Sequence, residues 1–486
     1  MSDFNTAAAR GGDHSAVSER RKTVAFLTVL TAVVLEVADS TIVNTALPAI
    51  RDGLSASPAA MQWIVAGYLL TLGSLLLLGG RLGDAFGHSR VFLVGVGAFI
   101  LASVLCGLAQ SPEQLVWARM LQGATGAVMA PQTMAIVQLL YTPLERVSKL
   151  AYFGVIVGLA AIVGPIVGGV LIELDLLGLG WRLVFLINLP IGVGAVLVGW
   201  FSLPPRQSEK DLRIDPVGAL IFAAGFGGLL YALIQGAEKG FTIALVALFA
   251  VSCGLILFGW SRALRRRLAG LPAIIEPRLF DIGTFKWGVL SAFCFSSAGI
   301  GFLLVLAVSL QQGLGLSPLQ TALVHIPFGA GVMFGVGFLV PRLLPRLGKA
   351  LPVAGGFAMI AGTTLALKAI KGGNSGDPLL YAVLVLAGIG MGTMSGPLGP
   401  IVVAEVERQN AGTASATLRT AQQIGGALGI ALVGGAYFSA SGEESVARLT
   451  GLDPANAVIA LALGLAILCV LRLPRDIFGQ RRNARD

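Results

Sequence analysis

Residues 24–47 read VAFLTVLTAVVLEVADSTIVNTAL, a run in which Glu36 and Asp39 are the only charges. A helix crossing a hydrocarbon core of ~30 Å needs about 20 predominantly apolar residues, so this stretch is long enough to span a bilayer. Only helices and closed barrels satisfy the backbone in lipid, and the run shows no strand-period alternation. It predicts a transmembrane helix that carries two carboxylates. Thirteen further apolar runs follow, at 61–82, 91–109, 115–140, 150–172, 183–203, 216–235, 241–260, 287–310, 318–339, 351–370, 378–403, 413–438 and 456–471. Composition agrees: of 486 residues, 55% are hydrophobic and 12% charged, against roughly 25% charged in soluble proteins. That excludes a soluble enzyme, a disordered chain and a secreted disulfide scaffold. No long stretch of average composition leaves room for a single-span receptor with a large soluble domain. The expected fold class is an all-α polytopic membrane protein with fourteen transmembrane helices.

The formal net charge of +9 gains its meaning from where the basic residues lie. With Met1 in the cytoplasm, 27 of the 34 basic residues fall inside, among them Arg20, Arg21, Lys22, Arg81, Arg90, Arg146, Lys149, Arg206, Lys210, Arg213, Arg262, Arg265, Arg266 and Arg267. Six (Arg51, Arg182, Lys239, Lys368, Lys371 and Arg448) fall outside, and Arg119 lies in a span. This is the positive-inside bias, with both termini cytoplasmic and the bilayer, not nucleic acid, as the partner. The first apolar run is too long for a cleavable signal peptide. Cys106, Cys253, Cys294 and Cys469 each sit alone in apolar surroundings, and His14, His88 and His325 are far apart. No metal site and no cofactor are expected.

A weak internal repeat divides the chain. Arg81-Leu-Gly-Asp84-Ala-Phe-Gly87-His88 after the second span meets Arg342-Leu-Leu-Pro345-Arg-Leu-Gly348-Lys349 after the tenth. Gly126 and Pro131 meet Gly392 and Pro397, and Gly168-Gly169 meet Gly434-Gly435. The expected organisation is a tail (1–23), a six-helix half (24–203), a linker with two extra helices (204–286), a second six-helix half (287–472) and a tail (473–486). Parallel repeats about an axis along the membrane normal place a substrate site between the halves.

Five motifs in order carry a family resemblance. They are Asp39-Ser-Thr-Ile-Val-Asn44-Thr-Ala-Leu-Pro48; Gly80-Arg-Leu-Gly-Asp84-Ala-Phe-Gly87-His-Ser-Arg90; and Arg119-Met-Leu-Gln122-Gly123-Ala-Thr-Gly126. Gly164-Pro165-Ile-Val-Gly168-Gly169 and Trp181-Arg182-Leu-Val-Phe185-Leu-Ile-Asn188-Leu-Pro190 complete the set. Over nearly its whole length the chain resembles the fourteen-helix drug:proton antiporter branch of the major facilitator superfamily. The resemblance implies two six-helix halves plus two inserted helices, transport in exchange for protons, and a bacterial cytoplasmic (inner) membrane location. It also implies a periplasmic adaptor if the source is Gram-negative, with a monomer as the functional unit. Two departures stand out. Ala160 replaces the earlier glycine of the exporter motif, and Pro345 replaces the acid in the second copy of the loop motif. Only the first copy can therefore act as a charged latch.

Glu36 and Asp39, three residues apart, share a helix face, and burying charge there costs roughly 2.5–3.5 kcal/mol per group on insertion scales. Such carboxylates are expected to face a cavity, where desolvation and mutual repulsion favour a bound proton. The functional reading makes them the proton-coupling pair, and the resemblance implies a role for Arg119 in proton transfer; the alternative is a structural ion pair between Asp39 and Arg119. Gly164, Pro165, Gly168 and Gly169 suit a bend and close helix approach, as a rocking interface or as plain packing. Gly80, Asp84, Gly87 and Arg90 are the expected latch, Asp84 meeting the start of the thirteenth span. Asn44, Gln122, Gln311, Gln312, His325 and Gln422 are the candidate polar groups of a substrate cavity.

The leading function is proton-coupled export of amphipathic small molecules, cationic or lipophilic, by alternating access. The alternatives are a dedicated exporter of one endogenous metabolite and a non-coupled channel or sensor. No catalytic constellation supports an enzyme. A GxxxxGK[ST] sequence is absent, which argues against a self-contained ATP-driven pump.

Overall fold

The computed structural model describes residues 19–204, 215–271, 273–373, 376–407, 410–441 and 449–474. Most of both expected tails lies outside the described residues, as do His14, Arg206, Lys210, Arg213 and Arg448. Among the described residues fourteen long helices follow one another. The first seven are α1 Glu19–Leu54, α2 Pro58–Phe86, α3 His88–Gly107, α4 Pro112–Leu140, α5 Pro143–Leu174, α6 Gly180–Ser202 and α7 Pro216–Lys239. The second seven are α8 Ile243–Leu268, α9 Gly283–Gly313, α10 Pro318–Leu347, α11 Ala350–Lys371, α12 Pro378–Val403, α13 Ala411–Ala440 and α14 Leu449–Leu471.

Local chemistry sets the breaks. Ser57, Ser111, Asp215, Thr242, Ser317 and Asp377 cap the helices they precede, each side chain accepting a free backbone N–H of the first turn. Proline opens five of those six helices, where its missing donor costs nothing. The α2–α3 turn is a single residue, Gly87, at φ +89°, a conformation in which a Cβ is strained. α6 is assembled in pieces: a 3₁₀ turn at Gly180–Arg182, one α turn at Leu183–Leu186, then Asn188–Ser202.

Fourteen crossings bring the start of α1 and the end of α14 to one side, here the terminal face; the opposite side is the far face. Several basic residues of the topology argument bind the carbonyl ends of helices on the terminal face. Arg21 donates to the carbonyls of Ser202 and Leu203, and Lys349 to those of Leu471 and Leu473. Cations at helix C-termini complement the helix dipole, so these residues fix helix ends as well as orientation.

The N-terminal half packs α2 and α3 on α4 and α5 on α1; the C-terminal half packs α9 on α13 and α14, and α12 on α10 and α11. The helices meet at glycine: a Cβ on Gly429 would sit 2.0 Å from the Ser297 carbonyl oxygen of α9, so the α9–α13 contact tolerates no side chain there. Close backbone approach replaces the hydrophobic effect as the source of helix association in lipid. The halves meet through α2 with α13 and α5 with α10. α7 leans on α2 and α13 while α8 packs on α7, leaving Leu257 and Phe258 of α8 exposed to the lipid side.

At the far face the two halves are tied by polar bonds. Arg51 Nη1 donates to Gln312 Oε1 at 2.6 Å, Gln311 Nε2 to the Thr45 carbonyl at 3.0 Å, and Ser317 Oγ to the Glu173 carboxylate. Gln311 and Gln312 stand in a π-helical turn, Ser309–Gly313, that closes α9.

Candidate functional site

Asp39 is 1% exposed and takes three donors. Arg119 Nη1 reaches its Oδ2 at 2.6 Å. Gln122 Nε2 and Asn188 Nδ2 reach Oδ1 at 2.8 and 3.0 Å. Gln122 and Asn188 also donate to Ser103 Oγ, at 2.9 and 2.8 Å, and the Ser103 hydroxyl donates in turn to the Phe185 carbonyl. Arg119 gives Nη1 to Gln122 Oε1 at 2.5 Å and Nε to the Ile64 carbonyl at 3.2 Å, with its guanidinium 4.2 Å from the Tyr68 ring centroid. Helices α1, α2, α3, α4 and α6 therefore converge on one carboxylate. The spacing explains why: Arg119 and Gln122 are one turn apart on α4 and present one face. The broken start of α6 directs Asn188 inward. Each member of the network is hydrogen-bonded, as a charge in a low-dielectric interior requires.

Glu36, one turn earlier on α1, is also buried but points elsewhere. Its carboxylate accepts from Arg419 Nη2 of α13, across the boundary between the halves. Arg419 belongs to a span and not to the cytoplasmic side. Arg419, counted among the cytoplasmic-side basic residues, lies about 12 Å into α13 at ~1.5 Å per residue. Among the described residues the deep charges are thus Glu36, Asp39, Arg119 and Arg419, two of each sign. A single cation in a span of average hydropathy looks like a topology marker, and its partner is 383 residues away, so only the fold reveals the pair. Asn188 was visible as part of a motif without a role, and Ser103 carried no signal at all.

The exporter motif packs beside the carboxylate turn. A Cβ on Gly164 would meet Thr41 Oγ1 at 2.4 Å, and one on Gly168 would meet Ile42 at 2.5 Å, both on α1. A Cβ on Gly169 would stand 2.7 Å from Leu319 Cα of α10, in the other half. α5 thus touches α1 with one stripe and the opposite half with another. Pro165 lies within α5 between these contacts.

In the loop motif, Asp84 faces Arg81 at 3.9 Å and His88 Nε2 at 3.5 Å, both within its own segment. His88 Nδ1 meets Gln132 Oε1 of α4 at 2.8 Å, so this histidine ties the loop to α4. Gly80 packs loosely near Pro131, and Arg90 is exposed at the start of α3.

The cavity candidates separate. Gln122 belongs to the Asp39 network, and Gln311 and Gln312 belong to the far-face ties. His325 Nδ1 meets the Thr321 carbonyl of its own helix at 2.7 Å, which satisfies it as a packing residue. Asn44 is half-buried with an unpaired Oδ1, and Gln422 lies half-buried one turn after Arg419. The Tyr68 and Ser74 hydroxyls of α2 and the Thr420 hydroxyl of α13 are buried without a protein partner. They lie on α2 and α13, one of the two helix pairs through which the halves meet.

The Major Facilitator Superfamily model matches residues 29–430. A Streptomyces coelicolor protein named "Probable actinorhodin transporter" is 35% identical over 91% of this chain and 77% of its own. The puromycin resistance protein pur8 of Streptomyces alboniger is 34% identical over 94% and 92%, and the cephamycin export protein CmcT of Amycolatopsis lactamdurans 33% identical over 91% and 91%. Among solved structures, a bacterial homologue of the human lysosomal transporter Spinster, inward-facing and unoccupied, superimposes with a TM-score of 0.64 at 19% identity. That match covers 96% of this chain and 98% of the other. The fold, the ordered motifs and these matches agree: the chain is a multi-pass membrane transporter of the major facilitator superfamily.

Proposed function

We propose that this protein is a proton-coupled antiporter that exports amphipathic, antibiotic-like molecules across the cytoplasmic membrane, with the terminal face in the cytoplasm. The observation that carries the reading is the pair of carboxylates on one turn of α1, each matched by a membrane-embedded arginine from a different half. A proton is the small cation that can displace such an arginine without a binding cage. Alternating access would draw on the two seams: ties at the far face hold that side together, while Asp84 keeps to its own loop at the terminal face. In the opposite state Asp84 would engage the start of α13, whose backbone donors suit a carboxylate. Tyr68, Ser74, Thr420, Asn44 and Gln422 would supply the polar contacts to a bound substrate.

A narrower reading, export of one endogenous natural product, is favoured by the names of the relatives, which refer to single antibiotics. A susceptibility and accumulation panel in a strain lacking its own pumps tests both. Expression of the wild type should lower accumulation of several unrelated amphipathic compounds, and Asp39→Asn should not. Protection against one compound class alone would select the narrower reading, and protection against none would defeat export of drugs.

A further inference from the structure

A cavity of about 230 Å³ lies at the far-face ends of α2, α7 and α13, lined by Pro58, Gln62, Ala237, Glu238, Phe438 and Ser439. It stands apart from the carboxylate network: Gln62 precedes Tyr68 by six residues on α2, about 9 Å nearer the far face. Glycine lets the three helices meet here. A Cβ on Gly434 of α13 would stand 3.2 Å from Gln62 Cδ, and one on Gly435 would stand 3.0 Å from Ala237 Cβ. These two glycines are the repeat counterparts of Gly168-Gly169, and in this half they seat the inserted helix α7. Trp63 and Tyr231, with ring centroids 6.3 Å apart, also hold α2 to α7.

The polar lining consists of acceptors. Glu238 is exposed; its Oε1 accepts the Ala59 N–H at 3.3 Å, and among the described residues no cation pairs with this carboxylate. Lys239 follows it on the helix, where adjacent residues do not face each other. Gln62 is 1% exposed and its Oε1 has no partner, an acceptor that is costly to leave unused. Ser439 Oγ donates to the Ala436 carbonyl at 3.4 Å, which leaves its lone pairs to accept. Phe438 adds an aromatic ring, whose face attracts cations. No lysine or arginine lines the cavity. Pockets for drug-sized ligands run to roughly 300–1,000 Å³, so this one admits a head group and not a whole antibiotic.

We propose that the cavity is a binding site for a primary ammonium group, carried by a small soluble amine or by a lipid head group. Glu238 supplies the countercharge, Gln62 and Ser439 accept N–H donors, and Phe438 covers the cation. Charge-assisted hydrogen bonds of this kind are the strong ones, and three N–H donors match three kinds of acceptor. The acid comes from α7, so the site exists only because the two extra helices are present. α2 belongs to the N-terminal half and α13 to the C-terminal half. An occupant therefore bridges the halves and favours the arrangement in which they meet here. The site stands independently of proton coupling.

The test titrates the purified full chain in dodecyl maltoside with ethanolammonium chloride, ionic strength being held constant with sodium chloride, and reads binding by calorimetry. The wild type should bind saturably at one site. Loss of an acceptor to a charged donor should weaken binding about tenfold or more in Glu238→Gln and in Gln62→Leu. Glu238→Gln keeps an acceptor for the Ala59 N–H at an exposed position, so it tests the site even where the buried Gln62→Leu variant fails to fold. Tetramethylammonium, with the same charge and no N–H donor, should bind more weakly than ethanolammonium. Phosphatidylethanolamine added to the micelles should displace the amine where a lipid head group is the ligand, and phosphatidylglycerol should not. Displacement by neither lipid assigns the site to a soluble amine. Absence of saturable binding, or equal binding by the wild type and Glu238→Gln, would overturn the site. Equal binding of the two cations would overturn the primary ammonium as its ligand.

Discussion

Asp39→Asn is expected to abolish gradient-driven exchange and also to lower the melting temperature of the purified transporter. The reason lies in what the substitution leaves behind. Arg119 is a permanent cation, 1% exposed, whose partner charge is Asp39. Removing one member of a buried pair while the other stays charged costs about 3–5 kcal/mol. An asparagine can still accept from Gln122 or Asn188, but it cannot neutralise the guanidinium. Neutralising both, in Asp39→Asn combined with Arg119→Gln, should recover most of the thermal stability and none of the exchange. Thermal unfolding monitored in detergent and flux in liposomes separate the two effects. Wild-type melting in the single variant would show that Arg119 is stabilised by something other than this carboxylate. Intact exchange would remove Asp39 from the coupling pair.

Glu36→Gln should have the opposite profile, with stability kept and coupling lost. Its partner Arg419 reaches solvent with 36% of its side chain exposed, so an unpaired Arg419 stays hydrated. Pairs of that kind contribute roughly 0–1 kcal/mol, a change that a melting curve barely registers. Glutamine fixes the site in the uncharged form that a proton would create, and it gives a cationic probe nothing to bind. Probe efflux should therefore become independent of external pH and fall to the level of empty vesicles above the probe's passive leak. A Glu36→Gln protein that still follows pH would place the coupling proton on Asp39 alone.

The contrast between these two carboxylates shows what was legible in the sequence. Fourteen spans, their order and the depth of Glu36 and Asp39 followed from apolar run length, because a bilayer imposes one length on every crossing. The Asp39–Arg119 contact was readable as an alternative because both charges stood out in apolar surroundings. The donors that complete the network were not. Ser103 and Asn188 are ordinary polar residues in their helices, and only the convergence of α3 and the jointed α6 on α1 gives them a task. Arg419 was hidden by the rule that served best elsewhere: cationic residues near span ends mark the cytoplasmic side. Gln311 and Gln312 read as cavity groups from polarity alone, whereas the π-turn of α9 places them at the seam with α1. Helix depth is a one-dimensional property of the chain; which face meets which neighbour is not.

In the proposed cycle a proton gradient drives substrate movement through this protein. The direct measurement is accumulation of tetraphenylphosphonium in proteoliposomes loaded at acidic pH and diluted to a pH two units higher, with potassium and valinomycin holding the potential at zero. At one proton per substrate, a gradient of two units can sustain accumulation of up to about a hundredfold. Accumulation should collapse when an ionophore dissipates the gradient. Accumulation that forms equally with and without the gradient, or a pH gradient that the probe cannot discharge, would contradict the account.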